Sequence, residues 1–326
     1  MNYPAVVVTI TDRGYIIPTF ILILSLRYYK VQAQIHVLCV DLTEEEKQLF
    51  TQFDDVVVFD ADLSNKRNPT TRKAEAILTV TNKDIKLISL FDGDCIVTGD
   101  ITHLLKQDTP SLSARFKSRK EDGWVFSKYY EEGDEYGYIP KKILDEWQRH
   151  VGELEKPSRR NTVAGGNLAV HTDYLWFIKK WHEQMMQILP NYNTGVAYNY
   201  KLTAYSQLDE SILNSLLTFS EEVPPLTAGW FDKDPDAFLA HLGPGNPRYW
   251  KRFPKSKLVY LDKILMFIDW GKNENYKFPK LSWTLNAKLK WVIKFVAHLF
   301  ELKVIAKRIV KKILVLRHIR KYQENI

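Results

Sequence analysis

Hydrophobic and polar residues alternate in blocks along the first hundred residues, as expected when strands and helices follow one another. Short apolar runs, typical of buried strands, are separated by longer segments with one apolar face, typical of helices. The predicted strands are AVVVTIT, QIHVLCVD, DVVVFD and IKLISLFD, and the predicted helices are IPTFILILSLRYY, TEEEKQLFTQF with Thr43 as N-cap, and TTRKAEAILTV. This order predicts an α/β fold with a mostly parallel central sheet and helices on both faces.

Two acidic residues, Asp92 and Asp94, follow the last of these apolar strands, with only Gly93 between them. A buried carboxylate is costly unless it is paired, hydrogen-bonded or bound to a metal ion. Ligands of parallel sheets bind where the strands end, so we expect both carboxylates at a ligand site. Their oxygens suit Mg²⁺ or Mn²⁺, and such a cation neutralises a diphosphate leaving group. Asp-x-Asp alone is a common triplet and identifies no reaction.

The pattern changes after residue 112. Residues 113–160 are rich in charged and aromatic side chains, and we interpret them as an insertion over the site. Tyr and Trp beside carboxylates suit carbohydrate, while a surface subdomain with a small aromatic core is an equally good interpretation. The order of elements then restarts with TVAGGNLAVHTDYLWFIKKW, the acidic helix start SQLDESILNSLL and the Gly/Pro-rich loop FLAHLGPGNPRYW.

The charge of the chain is unevenly distributed. Its 326 residues are 45% hydrophobic and 26% charged, which is enough for a full core, and the formal net charge is +7. Residues 286–326 hold eleven Lys or Arg and two Glu, a net charge of +9, which leaves −2 for the rest. Because nucleic-acid binding usually needs a basic face on the folded domain, we predict no nucleic-acid partner.

The basic segment also has helical periodicity. Apolar residues recur every three or four positions, at Leu289, Val292, Val296, Leu299, Leu302, Ala306, Ile309, Ile313 and Leu316. The pattern predicts a basic amphipathic region over 281–326 that binds an anionic membrane surface, with Trp283, Trp291 and Phe295 as interfacial anchors. The alternative is a C-terminal helix packed on the domain with its charged face in water.

The cysteines and the N-terminal segment bear on localisation. Cys39 and Cys95 both lie in apolar runs, so a disulfide framework is not indicated and a reducing compartment is favoured. MNYPAVVVTITDRG lacks the features of a secretory signal, and the apolar segment from Tyr15 to Leu26 is too short to span a bilayer. With the basic tail, these features predict a cytoplasmic protein that lies peripherally at the inner face of the membrane.

Five segments, taken in order, resemble the GT-A nucleotide-sugar glycosyltransferases. They are YKVQAQIHVLCVDLTEEEKQLF, LISLFDGDCIVTGDITHLL, AGGNLAVHTDYL, LDESILNSLL and HLGPGNPRYW. The similarity covers roughly residues 3–255 and is greatest to the glycosyltransferase 8 group, which is glycogenin-like and lipooligosaccharide galactosyltransferase-like. It implies a Rossmann-like GT-A catalytic domain over residues 1–280, an Mn²⁺ or Mg²⁺ cofactor, and sugar transfer from a nucleotide sugar, a UDP-sugar, to a lipid-linked or cell-surface glycan.

The resemblance also implies roles for individual residues. Asp92 and Asp94 match the metal-binding Asp-x-Asp, and His241 matches the histidine of H-x-x-G-x-x-K-P-W, a third metal ligand. The implied donor-binding residues are Asp12 and Tyr15 near the nucleoside, Arg72 and Lys73 near the phosphates or donor sugar, Asp92, Gly166, Asn167, and Arg248 or Lys251 near the phosphates. Asp209, Glu210 and Asn214 match the segment DQDxLN, whose first residues lie beneath the anomeric carbon, so Asp209 and Glu210 are candidate catalytic residues. Pro247, Tyr249 and Trp250 would close the nucleotide site.

Two departures from the family pattern matter. The segment from His241 to Gly243 is one residue shorter than H-x-x-G, and Asn246 stands where the phosphate-binding lysine is expected. Glu210 replaces a glutamine of the group that retains anomeric configuration, while GGNLAVH is similar to inverting glycosyltransferase 2 proteins. Both outcomes stay open. In a retaining enzyme Asp209 or Glu210 would stabilise oxocarbenium character, and in an inverting enzyme one of them would deprotonate the acceptor hydroxyl.

Two other functions fit parts of the pattern. Haloacid-dehalogenase-type phosphatases also carry an Asp-x-Asp after an apolar strand, with the first Asp as nucleophile, but there the motif normally ends the first strand. The missing lysine fits a membrane-associated scaffold with a degenerate site. Turnover of phosphomonoesters would favour the phosphatase, and nucleotide-sugar binding without turnover would favour the scaffold.

Overall fold

The computed structural model describes residues 3, 5–64, 68–106, 109–192, 204–205, 207–229, 238–242, 249–253, 255–303 and 305–306. The chain divides into two compact units, Met1–His241 and Leu242–Ile326. The first unit contains the central sheet and the candidate site residues up to His241. The second unit contains the start of the basic tail.

Four parallel strands form one half of the sheet, as the apolar runs predict. They are β1 (Ala5–Asp12), β2 (Gln34–Val40), β3 (Val56–Asp60) and β4 (Leu87–Leu90), linked by α1 (Ile16–Tyr28), α2 (Glu44–Thr51), a 3-10 turn (Pro69–Arg72) and α3 (Lys73–Ile77). Residues Ala5 to Val8 of β1 are all completely buried. Because successive strand side chains point to opposite faces, both faces of the sheet are covered.

The predicted N-cap of α2 is confirmed. The side chain of Thr43 accepts a hydrogen bond from the Glu46 backbone N–H at 3.3 Å, and the Glu46 carboxylate accepts one from the Thr43 N–H at 2.8 Å. Such a capping box satisfies two backbone donors at the start of a helix. The third predicted helix, TTRKAEAILTV, is shorter than expected, because α3 ends before the β-branched residues Thr79 and Val80.

The sheet has seven strands in the order β3-β2-β1-β4-β7-β6-β8. The added strands are β6 (Leu112–Ala114), β7 (Leu168–His171) and β8 (Leu226–Ala228), and a separate antiparallel pair joins β5 (Cys95–Val97) to β9 (Leu239–His241). Only β7 runs against its neighbours β4 and β6 in the sheet as described, so the sheet is mostly parallel, as predicted. The reversed β7 places the residues that precede it beside those that follow β4.

The remaining helices of the first unit pack on one face of the sheet. They are α4 (Arg119–Val125), α5 (Lys141–Val151), α6 (Leu175–Tyr192) and α7 (Leu208–Phe219). Phe126, Ile143 and Trp147, from the segment predicted to be an insertion, are buried in the same core as α6, α7 and the sheet. Residues 113–160 therefore share the main core and do not enclose a separate one.

The second unit contains α8 (Leu261–Asn273) and a helical segment over residues 290–303. Ile293 and Ala297 of that segment are buried, whereas Trp291, Phe295 and Leu302 are 80%, 63% and 62% exposed. Lys290 and Lys294 pair with Asp262 of α8 at 2.6 and 3.8 Å. Within the described ranges, none of the helices combines the length and apolar character needed to cross a bilayer.

Candidate functional site

The loop after β4 carries the two aspartates and meets the turn before β7. Because Leu90 pairs with Leu168 in antiparallel register, Asp92 lies beside Gly166 and Asn167. The Asn167 side-chain oxygen accepts a hydrogen bond from the Asp92 backbone N–H at 2.9 Å. Asn167 has a φ of 51°, a left-handed conformation that asparagine tolerates better than most residues. Asn167 is buried, and its side chain contacts the backbone of the aspartate loop.

Two glycines permit this close approach. A Cβ atom at Gly166 would lie 2.3 Å from Asp92 Oδ2, and a Cβ atom at Gly93 would lie 2.6 Å from the Thr19 hydroxyl and 3.0 Å from the Ile10 carbonyl. All three distances are shorter than van der Waals contact, so larger residues would displace the aspartates. The sequence pattern assigned Gly166 by resemblance, and the structure shows which carboxylate it accommodates.

His241 is brought to the aspartates by the β5–β9 pair, in which it stands opposite Cys95. Its Nε2 lies 3.0 Å from Asp94 Oδ1 and 3.8 Å from Asp92 Oδ2. The three side chains predicted to bind metal are therefore in one place. Their separations are short enough for one cation to contact all three after small side-chain movements.

The donor atoms fit a divalent cation. Two carboxylates and an imidazole form an oxygen-rich set suited to Mn²⁺ or Mg²⁺. Among the described residues, the ligand atoms of Asp94, Cys95 and His241 also lie within 4.8 Å of one another. We favour Asp92 over Cys95 as the third ligand, because the Cys95 side chain is completely buried and its thiol donates to Asn167 Oδ1 at 3.3 Å.

Lys73 lies at the centre of the site. Its ammonium nitrogen is 2.9 Å from Asp209 Oδ2 and 3.3 Å from Asp92 Oδ1, and it donates to the Gly165 carbonyl at 3.2 Å. Burial by itself lowers the pKa of Lys73, but the carboxylates of Asp209 and Asp92 outweigh it and raise the pKa above the ordinary lysine value. Lys73 therefore stays charged and links the aspartate loop to α7.

Asp209 and Glu210 lie in the first turn of α7, where the helix dipole favours acidic residues. Trp181 donates its indole N–H to the Asp209 carbonyl at 3.2 Å, which fixes this first turn against α6. The Glu210 carboxylate pairs with Lys117 through Oε1 and accepts the Gly165 backbone N–H through Oε2 at 3.0 Å. Asn214 exchanges two hydrogen bonds of 2.8 Å with the backbone of Val163.

The charges of this cluster do not balance. Its described side chains are four carboxylates and two ammonium groups, from Asp92, Asp94, Asp209, Glu210, Lys73 and Lys117. Without His241 in the count, two negative charges remain in excess. A single divalent cation would compensate them, which is a second observation in favour of a metal site.

The other predicted donor-binding residues are placed differently. Asp12 ends β1, and its Oδ1 is buried and meets no hydrogen-bond donor within the described part of the chain. Tyr15 precedes α1 and donates its backbone N–H to the Asp12 carbonyl at 2.9 Å. Arg72 is buried and donates to both Glu75 oxygens, at 2.9 and 3.2 Å. A donor contact for each of these three residues stays a prediction.

The last set of predicted residues follows β9 in the sequence. Arg248 and Pro247 lie outside the described residues. Lys251 is exposed in the second unit, where Tyr249 and Trp250 are buried and stack edge to face. Their predicted contact with the nucleotide also stays a prediction.

The sequence pattern missed Lys117 and Gly165. Lys117 lies in SARFKSRK, a basic stretch that is typical of a solvated surface, and 93 positions separate it from Glu210. Among the described residues, the bridge between Phe116 and Val163 and the hydrogen bonds between Asn214 and Val163 bring the two segments together. Gly165 stands next to the glycine assigned by resemblance, so the doublet in AGGN was the available signal.

Comparison with solved structures identifies the fold. The glycosyltransferase GlyE of Streptococcus pneumoniae TIGR4 is similar with 16% identity and a TM-score of 0.51, over 86% of this chain and 66% of that chain. The bifunctional glycosyltransferase WbbM is similar with 15% identity and a TM-score of 0.51, over 88% of this chain and 51% of that chain. The galactosyltransferase LgtC, solved with donor and acceptor sugar analogs, has 14% identity and a TM-score of 0.49, over 85% of this chain and 98% of that chain.

No protein-family profile and no curated protein matches the sequence. The chain spans about two thirds of the GlyE chain and half of the WbbM chain. At these identities the similarity establishes the fold, which is that of GT-A glycosyltransferases. The predicted resemblance to these enzymes is thereby confirmed.

Proposed function

We propose that this chain is a metal-dependent glycosyltransferase that transfers a sugar from a UDP-sugar to a lipid-linked or cell-surface glycan. The observation that carries the proposal is the convergence of Asp92, Asp94 and His241 beside the acids of α7, with an excess of two negative charges. The fold shared with GlyE and WbbM supports the same reaction class. A haloacid-dehalogenase-type phosphatase normally carries its Asp-x-Asp at the end of the first strand, whereas here the motif follows β4.

The donor would lie across the carboxyl ends of β1 and β4. Asp92, Asp94 and His241 would hold Mn²⁺ or Mg²⁺, which neutralises the diphosphate and stabilises it as a leaving group. The buried Oδ1 of Asp12 is available as an acceptor for a nucleoside donor group. Lys73 would hold Asp92 and Asp209 in fixed positions while the donor binds.

The acids of α7 would act at the sugar. In a retaining transfer, Asp209 or Glu210 would stabilise positive charge that develops at the anomeric carbon, and in an inverting transfer one of them would take the acceptor proton. Both side chains are tied to lysines, so their positions are fixed before substrate binds. The acceptor would approach over residues 113–160, where Trp124 and Tyr136 are exposed.

Thermal unfolding with nucleotide sugars tests the donor site. We expect UDP-sugars with Mn²⁺ to raise the unfolding midpoint, because a ligand that binds only the folded state at 100 times its Kd stabilises it by about 2.7 kcal/mol. GDP-, CMP- and dTDP-sugars serve as comparisons, and a Mn²⁺-free series as the control. Absence of a shift with every nucleotide, together with turnover of phosphomonoesters, would replace the proposal by a phosphatase.

We also propose that the second unit binds anionic membranes at the cytoplasmic face. Trp291, Phe295, Leu299 and Leu302 lie within one stripe of the helical segment 290–303 and are exposed, while the opposite side packs through Ile293. Lys288 and Lys303 are exposed near this stripe, whereas Lys290 and Lys294 are paired with Asp262.

Vesicle co-sedimentation tests this membrane contact. We expect Trp291→Ser/Phe295→Ser/Leu302→Ser to weaken binding to phosphatidylglycerol vesicles at least about tenfold, since each apolar side chain contributes about 1.5–3 kcal/mol when fully buried. Trp124→Ser removes an equally exposed tryptophan from the first unit and is the matched control. Equal sedimentation of the triple variant and the wild type would contradict the membrane proposal.

A further inference from the structure

Each of the two consecutive acids of α7 has its own lysine. Asp209 pairs with Lys73, which comes from α3, and Glu210 pairs with Lys117, which comes from the segment after β6. The Lys117 and Glu210 side chains are only 7% and 16% exposed. The second pair has no counterpart among the roles that the sequence resemblance implies.

Three segments hold the second pair in place. The Lys117 backbone N–H donates to the Thr162 carbonyl at 3.0 Å, and the neighbouring Phe116 bridges to Val163. Glu210 is fixed from the other side by the Gly165 N–H, and its carbonyl accepts from Asn214 at 2.8 Å. The segment 115–117, the turn before β7 and α7 therefore form one closed network.

Both oxygens of the Glu210 carboxylate are engaged. Oε1 contacts the Lys117 ammonium and Oε2 accepts the Gly165 N–H, so removal of Lys117 would leave a mostly buried negative charge with one partner fewer. The same carboxylate would then repel Asp209, its neighbour in the first turn. The Glu210 carboxylate would then move or bind another cation, and either change would disturb the sugar site.

We propose that Lys117 is a positioning residue, which rests on the proposed glycosyltransferase function. It fixes the Glu210 carboxylate against the turn before β7 and compensates its charge, and it does so without a contact to the nucleotide. Lys117 and Glu210 therefore act as one unit, and this chain requires the lysine because it carries glutamate at this position. Glutamine at residue 210 would remove that requirement.

A double-mutant cycle tests the pair. The proteins are the wild type, Lys117→Met, Glu210→Gln and Lys117→Met/Glu210→Gln, and the readout is UDP release from UDP-galactose and UDP-glucose with Mn²⁺. We expect Lys117→Met to lower kcat about 100-fold, because loss of one partner of a buried charge pair is costly. The KM for the donor should change less than about threefold, since Lys117 does not bind the diphosphate.

The double variant and a conservative variant separate positioning from general damage. We expect Lys117→Met/Glu210→Gln to stay within about threefold of Glu210→Gln in kcat, because glutamine at residue 210 leaves no carboxylate for Lys117 to compensate. Lys117→Arg keeps the charge and should retain more activity than Lys117→Met. Lys120→Met removes an exposed lysine three residues away and should stay within about threefold of the wild type.

Two results would overturn the inference while the wild type is active. One is a Lys117→Met variant with wild-type kcat, and the other is a Lys117→Met substitution that lowers kcat by the same factor in the Glu210→Gln protein as in the wild type. If the wild type releases no UDP, the proposed function loses support for reasons unrelated to Lys117. The same four proteins are then compared by thermal unfolding without nucleotide, where a double variant no more stable than Lys117→Met overturns the pairing.

Discussion

Lys73→Met should destabilise the folded protein by about 3–5 kcal/mol and abolish measurable sugar transfer, because it leaves buried carboxylates without their counter-ion. The ammonium group of Lys73 contacts Asp92 and Asp209, and it also donates to the Gly165 carbonyl. Urea unfolding of the wild type and the variant measures the loss. Lys83→Met, which removes an exposed lysine, is the control and should change stability by less than about 0.5 kcal/mol.

The effect of Lys73 should not vary with pH near neutrality. The carboxylates raise the pKa of Lys73 in the folded state despite the opposing effect of burial. A raised pKa gives a stabilisation that is fully present below the unfolded-state value, about 10.4, and that is lost only above the folded-state value. The stability difference between the wild type and Lys73→Met should therefore be constant from about pH 6 to 9. If this stability difference decreased as the pH rose from 6 to 9, Lys73 would not be the charged partner.

Asp94→Asn should abolish the Mn²⁺-dependent effects of nucleotide sugars. The substitution keeps the shape of the side chain but removes one negative charge and one strong oxygen ligand from the set with Asp92 and His241. We expect kcat to fall at least about 100-fold, as when an electrostatic stabiliser of the transition state is lost. Thermal unfolding with UDP-sugar and Mn²⁺ should show no shift, whereas Asp84→Asn, at an exposed position, should behave as the wild type.

The metal-free proteins give a second test with the opposite sign. Because the described cluster has an excess of two negative charges, Asp94→Asn should unfold without metal at the same temperature as the wild type or higher. Lys73→Met should unfold at a lower temperature under the same conditions. If both variants lost stability to the same extent, the charge excess would not describe the site and the argument for a divalent cation would weaken.

Local patterns predicted the parts of the fold that depend on neighbouring residues. The four apolar strands, the first two helices between them and the N-cap Thr43 all appear as expected. The third helix is shorter than its periodicity predicted, because the pattern did not account for the β-branched residues Thr79 and Val80 that follow its end. The parallel half of the sheet followed from the alternation of strands and helices, whereas the reversal of β7 did not.

The candidate site was predictable in part for the same reason. Asp92 and Asp94 were predicted as site residues because acids after an apolar strand are unusual. The ordered motifs then added His241, Lys73 and Asp209. The structure brings these five side chains together. Arg72 is also positively charged and is adjacent to Lys73 in the sequence, and yet it pairs with Glu75. The two side chains differ in direction by the rotation of one helical residue. A local sequence pattern does not predict which of them points into the site.

The sequence alone was sufficient for the strand and helix order, the acids at the end of β4 and the basic tail, because these depend on spacing within a few residues. The partners of the acids depend on contacts across the fold. Lys73 and Gly165 are 92 positions apart, and Lys117 and Glu210 are 93 apart. Their distances depend on strand register and on the direction of β7, since an antiparallel β7 places its first residues beside the end of β4. Long-range packing therefore determines which charges balance and which remain for a cation.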